Sequence, residues 1–228
     1  MTLSADLTVI HSAAEALGLD YRGAFHPDPE DGVPAFGDGA RAQTVVLLGF
    51  IGGRRWPTFA ASPEYGDGAP EPLDRWSRRV IEELEVRTGG RGLYPTDGPP
   101  WLPFQRWACR SDAVSYSPLG ILIHADFGLW HAYRGALAFR ERLALPPPDR
   151  RPSPCEVCSA KPCLSACPIG AVTTGGYDHL RCRAHVAGAH GAACLDGGCL
   201  ARRSCPVGNE FRYDGVQSSF HMAAFAGR

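Results

Sequence analysis

The chain has 228 residues, of which 44% are hydrophobic and 21% charged, and its formal net charge is −1. This length allows one domain of ordinary size with a smaller one attached. The balanced charge excludes the strong field that attracts nucleic acid or acidic lipid, and no apolar run reaches the roughly 18 residues that span a bilayer. We therefore expect neither nucleic acid nor a membrane as a partner.

The N-terminal sequence has no basic region followed by an apolar one, so it is not a secretory signal. We therefore expect a cytoplasmic protein. Thiols are kept reduced in that compartment, and clustered cysteines there favour metal binding over disulfides.

The first half of the chain alternates helix and strand patterns. Ser4 is expected to cap a helix that reaches about Leu17, and residues 43–51 predict a buried strand. A second helix, closed by Gly89, is predicted from apolar residues that recur at helical spacing: Leu73, Trp76, Val80, Ile81 and Leu84.

Three further elements are predicted before a proline-rich stretch. Residues 101–108 look helical, residues 119–123 look like a second buried strand, and residues 130–143 are expected to form a helix.

The proline run at residues 146–148 is the expected linker. It divides an alternating α/β domain at residues 1–148 from a domain of cysteine-bearing loops at residues 149–228.

Eight of the nine cysteines form two runs that each end in Cys-Pro. Closely spaced cysteines with this ending are typical of proteins with two four-iron clusters, in which the cysteine before proline ligates the other cluster. That rule gives one cluster Cys155, Cys158, Cys163 and Cys205. It gives the second cluster Cys182, Cys194, Cys199 and Cys167.

Other readings of the cysteines stay open. The spacings are looser than the usual pattern, above all in the second run, and two zinc sites of four cysteines each would also fit. The Cys-Pro endings and the interleaving favour iron–sulfur clusters. Cys109 stands apart and is expected to be a structural thiol, and the three histidines between the ligands are treated as non-ligands: His179, His185 and His190.

Four arginines flank the second run: Arg181, Arg183, Arg202 and Arg203. They would either raise the cluster potential and steer an acidic donor, or form a solvated basic rim.

The stretch before the linker combines a strand, a glycine turn and several aromatic residues. Gly128 would let the backbone approach a flat ligand, while Phe127, Trp130 and Tyr133 offer stacking surface.

This stretch resembles a segment of the cytosolic cobalamin-processing proteins, the decyanase/dealkylase chaperones. Their His-Pro-x-Phe-Gly-Gly-Trp-Phe-x-x-Arg-Gly sequence helps to form the corrinoid pocket. The present chain departs from it at Ala125 and Leu129 and matches it at His124, Phe127, Gly128, Trp130, Arg134 and Gly135.

The order of the two parts resembles epoxyqueuosine reductases and reductive dehalogenases. Those families join a nitroreductase-like cobalamin domain to a two-cluster ferredoxin module. The resemblance implies an α+β protein, with a nitroreductase-like corrinoid-binding domain followed by a small bacterial ferredoxin-like one.

The resemblances imply an iron–sulfur oxidoreductase that reduces the cobalt of cobalamin, in one version with removal of the upper ligand. Electrons would come from a flavodoxin, ferredoxin or flavin-reductase type of protein and pass through two 4Fe-4S clusters. The usual Asp-x-His-x-x-Gly motif is missing from the sequence, which implies base-off binding. Arg134 would bind polar corrin side chains, and His124, Trp130 and His131 would line the upper face.

Two alternatives remain at this point. The chain would otherwise be a ferredoxin-type electron relay whose N-terminal domain docks a partner or holds flavin. Cobalt chemistry on a tRNA-bound substrate is disfavoured because the sequence has no basic stripe.

Overall fold

The computed structural model describes residues 6–228, and no helix in that range is long and apolar enough to cross a membrane. The chain divides into two compact units. The first unit runs to Ala113 and resumes over residues 132–150, while the second contains residues 114–131 and 151–228. The chain passes from the first unit to the second for the last time between Arg150 and Arg151, close to the expected linker. Residues 114–131, which lie within the expected first domain at residues 1–148, belong to the second unit.

The elements of the described chain are mixed. The strands are β1 Asp20–Phe25, β2 Thr44–Ile51, β3 Arg91–Leu93, β4 Val114–Tyr116, β5 Leu122–His124, β6 His131–Phe139, β7 Val172–Thr173 and β8 Gly176–Tyr177. The helices are α1 Leu7–Ala16, α2 Trp56–Ala60, α3 Pro63–Gly66, α4 Pro72–Thr88, α5 Phe104–Ser111, α6 Pro154–Val157, α7 His179–Ala187, α8 Ala192–Gly197, α9 Leu200–Arg203 and α10 Gly215–Ala226.

The first unit contains a four-stranded sheet in the order β1-β2-β6-β3. Every residue of β2 is buried, as its continuous apolar run predicts. Helix α4 buries the predicted apolar face and ends at Gly89, which has φ +72°. Asp6 caps the start of helix α1: its carboxylate accepts a hydrogen bond from the Thr8 backbone N–H at 3.0 Å. The predicted cap Ser4 lies outside the described residues.

The helix predicted over residues 130–143 is wrong, because this stretch is strand β6. Its alanines fit a helix locally, but small residues also allow strands to pair closely. A Cβ on Gly135 would overlap the Ile81 side chain, and a Cβ on Gly49 would overlap the Ala132 carbonyl. Tertiary packing therefore decides the conformation here.

Two other predicted elements are displaced. Helix α5 starts at Phe104, directly after Pro103, instead of at residue 101. The second buried strand is only Leu122–His124, because residues 117–120 form a turn closed by the Gly120 N–H to Ser117 carbonyl bond.

The second unit consists of short elements. β4 pairs antiparallel with β5, and β7 pairs antiparallel with β8. Two small apolar cores hold the remaining loops and helices. One core includes Leu119, Ile123 and Cys205, and the other includes Val186 and Cys194.

Candidate metal centres

Four of the predicted ligands surround one small cavity in the second unit. The cavity measures about 50 Å³. Its thiols are those of Cys155, Cys158, Cys163 and Cys205. Its other lining residues are apolar, with Lys161 as the exception: Pro118, Ile123, Pro154, Pro162, Pro206 and Val207. Cys205, from the end of the second run, thus joins three thiols of the first, and we call this set the first cysteine group.

The thiols of the first cysteine group are close enough to influence one another. Burial raises the pKa of Cys155, and the neighbouring thiols Cys205 and Cys163 raise it further. Burial likewise raises the pKa of Cys205. The Lys161 ammonium opposes these effects at Cys155 and Cys163, because a positive charge favours a thiolate.

The other four predicted ligands form a second cysteine group: Cys167, Cys182, Cys194 and Cys199. Burial raises the pKa of Cys182, as do the thiols of Cys167 and Cys194. Burial raises the pKa of Cys199, to which Cys182 and Cys194 also contribute. Cys182 and Cys194 are buried in the core that α7, α8 and α10 enclose.

Polar groups beside the sulfurs favour their charged form. The Ala171 N–H donates to Cys167 Sγ at 3.3 Å. The Tyr177 hydroxyl partly opposes the rise in the pKa of Cys182, and the backbone N–H groups of Arg202 and Ala201 do the same for the pKa of Cys199. Such bonds stabilise negative charge on sulfur, the form in which a thiol binds metal.

All nine cysteines of the described chain are free thiols. Across residues 6–228, no three His, Cys, Asp or Glu side chains lie together in a way that would hold a single metal ion. The first cysteine group instead lines a shared space. Its fit to a cluster rests on the donor set, four soft thiols in an apolar lining.

Gly128 lies close to another part of the backbone. Its φ is +57°, and a Cβ there would overlap the Val207 carbonyl oxygen. The backbone that follows Cys205 therefore requires a glycine here, and the approach of a flat ligand to Gly128 stays a prediction. Gly208 approaches the Phe127 backbone equally closely.

His124 is buried within its own turn. Its Nδ1 accepts hydrogen bonds from the backbone N–H groups of Asp126 at 2.9 Å and Phe127 at 3.2 Å. Its ring stacks on Phe127 at 4.0 Å, and Phe127 meets Phe211 edge-on at 4.9 Å. His131 Nε2 lies 3.1 Å from the Leu122 carbonyl oxygen. These contacts fix the conformation of the 124–131 loop.

Arg202 is not part of a solvated rim. Its guanidinium lies 4.6 Å from the ring centres of both Trp130 and Tyr213, and its Nε donates to the Leu129 carbonyl at 3.0 Å. The stack links the chain between Cys199 and Cys205 to the 129–130 segment. The indole N–H of Trp130 is buried and has no hydrogen-bond partner within residues 6–228.

Arg134 and Gly135 lie in the first unit. Arg134 pairs with Asp74 and donates from Nε to the Ser77 hydroxyl at 3.0 Å. Gly135 lies against Ile81 in the sheet. The seven predicted corrinoid residues are thus divided, with five in the second unit and two in the first.

Sequence reasoning missed two side chains near the thiols. Lys161 is the only lysine of the chain and stands between Cys158 and Cys163, a position that could have drawn attention to it. Tyr177 carries no comparable signal, because its proximity to the cysteines arises only from the β7–β8 pairing.

The comparisons with known proteins concern the fold. No family model and no curated protein matches this chain. Its mixed α/β fold is similar to that of a solved structure, the B12-trafficking protein CblC of C. elegans, a homologue of human MMACHC. The two are 14% identical, with 97% of this chain and 91% of that one covered and a TM-score of 0.50. At this identity the likeness establishes a shared fold.

A second solved structure is an epoxyqueuosine reductase in complex with a tRNA-Tyr stem loop. It is 16% identical, with 92% of this chain and 69% of that one covered and a TM-score of 0.47. The conclusion on the fold rests on the CblC structure.

Proposed function

We propose that this protein is an iron–sulfur oxidoreductase that holds two four-iron clusters and acts on cobalamin. The first cysteine group would hold one cluster and the second cysteine group the other. A nitroreductase-like fold for the first unit and a ferredoxin-like arrangement for the second are part of this proposal.

The observation that carries the proposal is the partition of the eight thiols. The interleaved pattern requires Cys167 and Cys205 to leave their own runs and join the opposite sets. Cys205 lines the cavity of the Cys155 run, and Cys167 acts on the Cys182 thiol. A consecutive set of four would not bring Cys205 to the cavity of the Cys155 run.

The residues around the thiols suit a redox centre. The apolar side chains at the first cysteine group limit the contact of its mostly half-buried cysteines with water, and the N–H groups at Cys167 and Cys199 favour negative charge on sulfur. When bound, the clusters would supply one-electron transfer at a potential set by burial and by hydrogen bonds to sulfur.

The corrinoid half of the proposal has different support. It rests on the resemblance of the 123–135 segment and on the fold likeness to a B12-trafficking protein. Within each unit, Gly128 and Arg134 are engaged with protein neighbours, so their contacts give no independent sign of a corrinoid. Trp130 has a buried indole N–H without a hydrogen-bond partner among residues 6–228, and this donor could serve a ligand.

A second candidate function is a two-cluster electron relay. The engagement of Gly128 and Arg134 in packing favours it, because a relay needs no corrinoid pocket.

Anaerobic purification followed by metal analysis tests the cluster half. About eight iron and eight sulfide per chain are expected from two cubes. Stoichiometric zinc without iron would contradict the proposal. Addition of hydroxocobalamin during a dithionite titration tests the other half: a protein-bound cob(II)alamin spectrum supports the oxidoreductase, and clusters without corrinoid binding leave the relay.

A further inference from the structure

A cleft of about 690 Å³ lies within the first unit and has no role in the proposed function. Its walls are mainly apolar, and its volume falls in the range of sites that hold small organic molecules. No residue of either cysteine group or of the 123–135 segment is among the described residues that line it. Its apolar lining residues are Pro34, Leu93, Pro100, Trp101, Leu102 and Pro103.

Trp101 offers an open aromatic surface on this lining. It is 64% exposed, whereas the other four tryptophans of the chain are at most 5% exposed. A Cβ added to Gly98 would lie 2.7 Å from Trp101 Cε3, so the indole lies directly against the Gly98 backbone. The ring is therefore supported by the chain while much of its surface stays open, which suits it to stacking on a flat ligand.

Arg106 supplies a positive charge that the protein does not neutralise. Its guanidinium has one hydrogen bond among residues 6–228, a long bond of 3.4 Å to the Asp31 carbonyl, and it forms no ion pair within that range. The Asp31 carboxylate pairs with Arg110 instead. Asp97, the one carboxylate among the described lining residues, pairs with Arg78. Arg106 therefore has donors available for an anion from outside the chain.

We propose that this cleft binds a flat aromatic carboxylate, whose ring stacks on Trp101 and whose carboxylate binds Arg106. A planar guanidinium matches a carboxylate with two parallel hydrogen bonds, and the apolar walls favour the ring. A single carboxylate suits the cleft better than a phosphate dianion, because the lining has one unpaired cation and the Asp97 carboxylate would repel a second negative charge. The inference does not rest on the proposed cluster function.

Isothermal titration calorimetry of the anaerobically purified full chain tests the site with 2-naphthoate and its neutral isostere 2-naphthamide. We expect 2-naphthoate to bind about ten-fold more tightly than the amide, the ratio typical of a hydrogen bond between charged groups. No binding of 2-naphthoate, or equal affinity for the acid and the amide, would overturn the inference. Displacement of 2-naphthoate by hydroxocobalamin would also overturn it, because the cleft would then belong to the corrinoid.

The chain offers a matched control for the arginine. Arg106→Gln removes the charge and should weaken 2-naphthoate binding about ten-fold, with the affinity for 2-naphthamide unchanged. Arg41 is likewise exposed, forms no ion pair among the described residues and is not on the lining. Arg41→Gln should therefore leave both affinities unchanged. Equal effects of the two substitutions on 2-naphthoate binding would overturn the assignment of Arg106.

A measurement on the wild-type protein keeps the test decisive if Arg106→Gln does not fold. Hydroxyl-radical footprinting with mass spectrometry should show strong oxidation of Trp101, and saturating 2-naphthoate should protect this indole. Tyr116, which is 62% exposed and lies in the second unit, serves as the reference for radical dose. Oxidation of Trp101 that does not change relative to Tyr116 would overturn the inference.

Discussion

The two units of this protein are stabilised by different means. The first has a four-stranded sheet with a wholly buried strand β2, a 17-residue helix α4 and many arginine–carboxylate pairs. The second has strands of two or three residues, several helices of four to six, and two small cores in which cysteines are prominent. Small cores of this kind usually need a metal or cross-links for stability. If the thiols hold clusters as proposed, we expect the second unit to depend on them for stability and the first unit not to.

The largest expected effect follows from removal of the clusters. Binding energy at sites built by folding is folding energy, so stripping the iron anaerobically with a chelator should unfold much of the second unit. Hydrogen exchange should show loss of protection in α7 and α8, with β2 still protected. Equal loss of hydrogen-exchange protection in both units, or in neither, would contradict the expected difference between them.

The next effect concerns the first unit. Arg22 is buried in β1, pairs with Asp112 at 2.8 Å and donates to the Phe50 carbonyl at 2.8 Å. Arg22→Ala removes the guanidinium that neutralises the Asp112 carboxylate and should lower the free energy of unfolding by about 3–5 kcal/mol. Arg87→Ala removes an exposed pair with Glu83 and should cost about 0.5 kcal/mol or less.

Urea denaturation of both arginine variants measures these differences, and iron content should be unchanged in each. An Arg22→Ala protein that loses iron before it loses first-unit structure would show that the two units are not independent.

Gly128 provides a test within the second unit. Gly128→Ala and Gly170→Ala both place a side chain at positive φ, +57° and +62°, which costs about 1–2 kcal/mol. Only at Gly128 would the new Cβ meet another residue, Val207, and overpacking adds about 1–3 kcal/mol. The melting temperature of Gly128→Ala should therefore be lower than that of Gly170→Ala. Iron should be lost first from the cluster that Cys205 ligates, and equal melting temperatures would contradict this packing.

The smallest effect is a pH dependence of the first unit. Hydrogen bonds from Arg79 lower the pKa of Glu64 from 4.5 to about 2. A carboxyl with a lowered folded-state pKa contributes stability above pH 4.5 and loses it as the pH falls toward about 2. Glu64→Gln should therefore destabilise the protein at pH 7, and the difference should shrink below pH 4.5. A difference that does not change between pH 7 and pH 3 would contradict the assignment.

The sequence predicted the elements whose patterns are long and locally consistent. The buried run at β2 and the apolar face of α4 are examples, since each pattern has one structural solution. The prediction failed at residues 130–143. Alanine and glycine there are compatible with a helix or a strand, and the pairing of β6 in the sheet determines that the segment is a strand. The segment 114–131 could not be assigned to its unit, because its fit to the Cys205 loop depends on contacts such as Gly128 with Val207.

The candidate site shows the same limit. The spacing of the cysteines predicts which thiols share a set through the Cys-Pro rule, and the composition of the two ligand sets stays a prediction. It could not reveal Tyr177 or the Arg202 stack, which arise from residues brought together by the fold.

The most direct test of the central claim is the replacement of one crossing ligand in each direction. Cys205→Ser and Cys167→Ser should each reduce the iron content from about eight to about four per chain. EPR should show that Cys205→Ser removes the signal that Cys155→Ser also removes, and that Cys167→Ser removes the signal lost in Cys182→Ser. If Cys205→Ser instead removed the same signal as Cys182→Ser, the two cysteine groups would be wrongly composed and the proposed arrangement would be contradicted.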